Sequence, residues 1–153
     1  MSGLPAVTPE LVFSLANGIA ALAWLALAAS PAGARWAPGV RRVAGRLVPL
    51  IFAVVYVALF AGTGMAGGGF DSLAAVQRLM AVPALLTAGW LHYLAFDLFV
   101  GAWIAERAAA LGLPHLVVLP LLALTFLFGP AGLLAFAVLS AFRRRRPLAP
   151  TLA

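Results

Sequence analysis

Residues 83–104, PALLTAGWLHYLAFDLFVGAWI, decide how the chain is read. The run carries a single carboxylate, Asp97, and a single imidazole, His92, in an otherwise uncharged stretch. Its length is that of a bilayer crossing, because about 20 helical residues at 1.5 Å each cover a hydrocarbon core of about 30 Å. Apolar and polar residues do not alternate as in a membrane barrel strand. Alanine and leucine favour helix, and Pro83 suits a first helical turn, where its missing N–H costs nothing.

Three further runs of similar character flank it. Leu11 to Ala29, Leu47 to Met65 and residues 116–142 carry no charge. Together they predict an all-α, integral membrane four-helix transmembrane bundle, one domain over residues 1–153 with spans at about 11–29, 47–65, 83–104 and 116–142. Composition agrees: 65% of the 153 residues are hydrophobic, 9% are charged and mean hydropathy is +1.10. A soluble domain of this size could not cover itself with so little polar surface. With no cysteine, disulfides and thiolate metal sites are excluded.

The net charge of +6 comes from arginine alone. The arginines stand at the ends of the apolar runs, at the level of lipid headgroups, and form no basic face interleaved with aromatics, so nucleic acid is not an expected partner. Four spans place both termini on one side. Arg78 and Arg143 to Arg146 then face Arg35, Arg41, Arg42, Arg46 and Arg107 across the membrane, and the positive-inside count ties. The run Arg143 to Arg146 reads as a stop-transfer anchor. Ala32-Gly33-Ala34 resembles a signal-peptidase site, but no Lys or Arg precedes the first run and Glu10 does, so it is expected to be a retained helix.

The connections have their own signals. Residues 30–46 read as a basic loop and residues 62–69, GTGMAGGG, as a glycine-rich one. Asp71 or Ser72 can cap a short interfacial segment, DSLAAVQRLMAV. Leu111-Gly112-Leu113-Pro114 is a stop and turn that makes an antiparallel hairpin of the third and fourth spans. Gly62-x-Gly64-x-x-Gly67 matches a dinucleotide fingerprint only in letters: a membrane span precedes it, and Thr87 stands where an acid is needed.

An ionised Asp at the centre of a membrane helix costs about 2.5–3.5 kcal/mol on insertion scales, so Asp97 should face protein and find a partner. Arg107, ten residues on, is about 15 Å away along the helix. Tyr93, four residues earlier, shares its face. His92 is about 140° around the helix and can share a cavity with Asp97 only if the bundle wraps their common edge. Removal from water without a cation disfavours the charged form of both groups, leaving a carboxyl and an imidazole suited to moving protons. The alternative is polar glue between helices, worth about 0.6–2 kcal/mol per contact. In the fourth span, Pro130 cannot donate to the Phe126 carbonyl and should bend the helix, while Gly129 and Gly132 leave room for a ligand or another backbone. Asn17, Tyr56, Thr87 and Thr125 are the other polar side chains within the spans, read as packing contacts. No metal site and no cofactor are expected, because His115 belongs at the headgroup level, away from Asp97.

Trp90-x-His92-Tyr93-Leu94-x-x-Asp97-Leu98-Phe99, then Gly101 and Trp103, then Thr125-Phe126-x-Phe128-Gly129-Pro130-Ala131-Gly132-Leu133-Leu134, resembles the abscisic acid-deficient 4-like family of small membrane proteins, as does FDSLAAV at 70–76. The glycine-proline stretch is closer to bacterial members, which implies a bacterial inner or intracytoplasmic membrane. Plant members are implicated in making neoxanthin from violaxanthin. The resemblance thus implies carotenoid biosynthesis and a cofactor-free carotenoid or isoprenoid isomerase. In that reaction an acid protonates an epoxide oxygen and a base removes a carbon-bound proton. On that reading Asp97 is the acid, His92 the base and Tyr93 a positioning group. Trp90, Phe96, Thr125, Phe128, Gly129 and Pro130 line the substrate slot. Two rival readings stand beside it. One is a non-catalytic accessory subunit that binds pigment or lipid in a larger complex or homo-oligomer. The other is a small proton-coupled transporter.

Overall fold

The computed structural model describes residues 8–144. Helix α1 (Pro9–Ala28) starts at Thr8, whose hydroxyl accepts from the Leu11 N–H. After a short turn, α2 (Ala37–Arg42) passes through a π turn (Val43–Leu47) into α3 (Val48–Thr63). These three pieces form one helix of 27 residues. The basic stretch expected as loop is therefore helical from residue 37. Glycine turns follow, with Gly64 and Gly67 at positive φ, and then a short helix α4 (Leu73–Met80) capped by Ser72. Helix α5 (Pro83–Ala110) is the central element at 28 residues, six longer at its end than the expected span. It stops at Gly112, φ +62°, before α6 (His115–Phe128) and α7 (Pro130–Arg144).

The described residues hold three helices long and apolar enough to cross a membrane: α1, the composite 37–63 and α5. The chain is an all-helical membrane protein. α1 runs parallel to α5, with Thr87 bonded to the Pro9 carbonyl at one end and Trp24 against Gly101 further along. α3 runs antiparallel to α5, as Arg46–Glu106 at one end and Tyr56–His92 nearer the other require. Lipid tails give helices no hydrophobic reason to associate, so close backbone approach has to do it. Ala16, Ala20 and Ala23 of α1 and Ala102, Ala105 and Ala108 of α5 supply that approach and are buried.

The run expected as a fourth span, 116–142, is two helices and not one. Gly129, at φ +30° and ψ −86°, breaks the run, and Pro130 opens a new helix. The halves fold back on each other. Residues seven apart in one helix are about 10.5 Å apart along its axis, yet a Cβ added to Gly132 would lie 2.5 Å from the backbone N of Thr125 and 2.6 Å from its Cα. α7 then retraces α5 in parallel: Gly129 sits at Asp97, and seven residues later the Phe136 ring meets Trp103 edge-on, with centroids 5.4 Å apart. Helices of 14 and 15 residues reach about 21–23 Å each, short of a hydrocarbon core of about 30 Å. The described residues thus hold three helices long enough to span and a hairpin of two shorter apolar helices. α7 accordingly ends on the side where α5 ends, opposite the start of α1.

Candidate functional site

Asp97 lies midway along α5, on the face turned to the α6–α7 reversal. It is 8% exposed, and its Oδ2 has no hydrogen-bond partner among the described residues. A Cβ on Gly129 would lie 2.5 Å from Asp97 Oδ1 and 3.2 Å from its Cγ, so the carboxyl rests directly on the backbone of the break. Two helix ends meet there. The Gly129 carbonyl accepts from the Gly132 and Leu133 N–H groups, at 3.1 and 3.3 Å, so the break caps the start of α7 with its own backbone beside the carboxyl. Pro130 has no N–H to offer the Phe126 carbonyl, as its ring chemistry dictates.

Around this point the helices are tied by polar bonds. Thr125 is fully buried; its hydroxyl donates to the Leu121 carbonyl at 2.8 Å and its own carbonyl accepts from the Gly129 N–H at 2.8 Å. The space that Gly132 leaves is filled by Thr125, so the small residues admit another backbone here. Tyr93, half-buried, lies one helical turn before Asp97 on the same face of α5. Its ring stacks on Trp90 with centroids 5.2 Å apart. Trp90 Nε1–H donates to Asn17 Oδ1 at 3.0 Å, and the Asn17 amide donates to the Phe13 carbonyl at 2.8 Å. Contacts thus run from α1 through Trp90 to Tyr93, one helical turn before Asp97.

The other expected site residues divide. Gly129, Pro130 and Thr125 belong to the reversal beside Asp97. Phe128 is 62% exposed at the end of α6. His92 and Phe96 are not brought to Asp97. The His92 ring sits 4.5 Å from Phe96 and 6.0 Å from Tyr56, on the exposed side of α5 that faces α3. The 140° separation on the helix is realised, and no element among the described residues wraps around to close it. His115, at the start of α6, donates through Nε2 to the Ala28 carbonyl at 2.8 Å and so closes the α1 and α5 ends.

Some features were not legible in the residues. The Asn17–Trp90 bond joins positions 73 apart, and only the parallel docking of α1 on α5 creates it. Arg41, expected in a loop, is buried to 8% exposure with its Nε unpartnered. The π turn that follows it has no sequence signature.

Comparison with known proteins gives one family. A family model described as ABA DEFICIENT 4-like matches residues 11–136, from the first span into the second arm of the hairpin. No curated protein and no solved structure matches the chain.

Proposed function

The chain belongs to the ABA DEFICIENT 4-like family, and from that premise we propose that it is a membrane-embedded isomerase of a carotenoid or other isoprenoid, using Asp97 as its proton donor and acceptor. The observation that carries this reading is the buried, unpartnered Asp97 oxygen at the helix reversal. A carboxyl kept from water with spare hydrogen-bonding capacity is costly unless it has a use. In an epoxide-to-allene isomerisation the protonated carboxyl gives its hydrogen to the epoxide oxygen as the C–O bond breaks. The carboxylate then takes a hydrogen from carbon as the new double bond forms. One proton leaves and one returns, the electron count is unchanged, and substrate and product have equal mass. Because His92 stands on another face of α5, the same carboxyl serves both steps. Tyr93 positions it.

Purified protein in lipid nanodiscs, supplied with epoxycarotenoids, tests this by chromatography and mass spectrometry. The expected product is an isomer of unchanged mass. Asp97→Asn should lower turnover by about 10²-fold or more, the usual worth of positioned acid–base catalysis, while His92→Ala stays within a few fold. Full turnover in Asp97→Asn overturns the reading.

A second reading, a non-catalytic subunit that holds lipid or pigment, is favoured by a separate feature: an apolar groove of about 440 Å³ between α3 and α5. It is supported if pigment co-purifies stoichiometrically and unaltered.

A further inference from the structure

The α3–α5 groove ends in a charged mouth. Its apolar part is lined by Pro49, Leu50 and Ala53 of α3 and by Ala95, Phe96 and Phe99 of α5. Through Gly45, Arg46 and Phe99 it continues into a smaller cavity of about 120 Å³, where Arg41, Trp103 and Glu106 join the lining. Arg46 pairs with Glu106 at 3.6 Å. Arg41 has no ion-pair partner among the described residues, although it is 8% exposed and its Nε is sealed from solvent. Two guanidiniums and one carboxylate leave this mouth one positive charge in excess.

The π turn makes the pairing of the arginines possible. In an unbroken α-helix, residues five apart lie about 140° around the axis from each other. Between Arg41 and Arg46 the turn Val43–Leu47 bonds five residues back, Val48 N–H to the Val43 carbonyl, and both side chains line one cavity. Gly45 lies at the crossing itself, where a Cβ would strike that of Ala102. A π turn costs hydrogen-bond geometry and is found chiefly at functional sites. An unpaired buried guanidinium is costlier still and calls for an anion.

We infer that this groove binds one anionic phospholipid of the surrounding leaflet, its phosphate held between Arg41 and Arg46 and one acyl chain lying along α3 and α5. The charged mouth is at the membrane-interface end of the groove, level with the ends of α1 and α5, and the apolar part runs inward from it. Arginine matches phosphate with paired N–H donors, a geometry a lysine cannot reproduce. A groove of this volume takes a single chain, not an entire bilayer patch. The site lies across α5 from Asp97 and is independent of any chemistry there.

The test uses the full chain, delipidated in detergent and titrated with phosphatidylglycerol or phosphatidylcholine under native mass spectrometry. One phosphatidylglycerol should be retained in preference to phosphatidylcholine. Arg41→Gln should weaken that binding about tenfold or more, as loss of a charge-assisted contact does. Ala53→Phe, at an exposed position in the groove, should weaken both lipids. Arg107→Gln, on the same membrane face but outside the groove, should weaken neither. The lipid-free melting temperature of Arg41→Gln should equal or exceed the parent's, because it removes an unpaired charge. Equal retention of the two lipids, unchanged phosphatidylglycerol affinity in Arg41→Gln, or a fall in its lipid-free melting temperature overturns the assignment. So does displacement of phosphatidylglycerol by equimolar farnesyl phosphate, which would transfer the site to a prenyl ligand, or a lipid-free dimer that fills the groove.

Discussion

Asp97 and Gly129 constrain each other. The glycine is needed for its positive φ and because a methyl group would press on the carboxylate oxygen 2.5 Å away. Gly129→Ala should therefore destabilise the protein by about 1–3 kcal/mol, the cost of a strained non-glycine backbone plus a clash. A thermal melt in detergent reads the loss. In an Asp97→Ala background the clash is gone and only the backbone strain remains, so the penalty should shrink in a double-mutant cycle. Gly18 is the control: it lies within α1, and a methyl group there would meet nothing within 4 Å, so Gly18→Ala should stabilise by about 0.5–1 kcal/mol through helix propensity. Gly132→Ala should be damaging again, since its neighbour at 2.5 Å is the Thr125 backbone, which cannot swing aside.

At the scale of the elements, what could be read in the residues was what depends on local chemistry. Ser72 caps α4, Pro83 opens α5 and Gly112 closes it, because caps and turns need only their neighbours. Gly129-Pro130 announced a disturbed helix by the same logic. What could not be read was the size of the disturbance. A kink and a full reversal share one dipeptide, and the choice is made by Gly132 docking on Thr125 and Phe136 on Trp103. The same limit applies at the candidate site. Helical spacing put Tyr93 beside Asp97 and His92 away from it. Whether another helix would bridge the gap was a tertiary question. Deleting Ala44 should convert the π turn to α geometry and leave Arg41 and Arg46 four residues apart, about 40° around the axis and still on one face. Both arginines should then still line the cavity, and the preference for phosphatidylglycerol should persist in the native mass spectrum.

For the whole molecule the reversal changes the charge balance. With four spans the arginines tied. With α7 returning to the side where α5 ends, Arg35, Arg41, Arg42, Arg46, Arg107, Arg143 and Arg144 lie toward one end of the helices, and among the described residues Arg78 alone lies toward the other. Arg145 and Arg146 lie outside the described residues. On that arrangement the positive-inside rule predicts the arginine-rich face toward the cytoplasm. The chain has no cysteine, so single substitutions report cleanly. A membrane-impermeant maleimide should label Gln77→Cys in intact spheroplasts, and should reach Gly33→Cys and Phe142→Cys only after permeabilisation. Labelling of Phe142→Cys together with Gln77→Cys would mean that α7 crosses the membrane after all.

A hairpin that turns back at Gly129 also bears on biogenesis. Once α5 has been threaded by the insertion machinery, the remaining polypeptide can settle into the bundle from the ribosome's side, with no further hydrophilic segment exported. A reporter enzyme joined downstream of α7 should mature in the compartment where translation takes place.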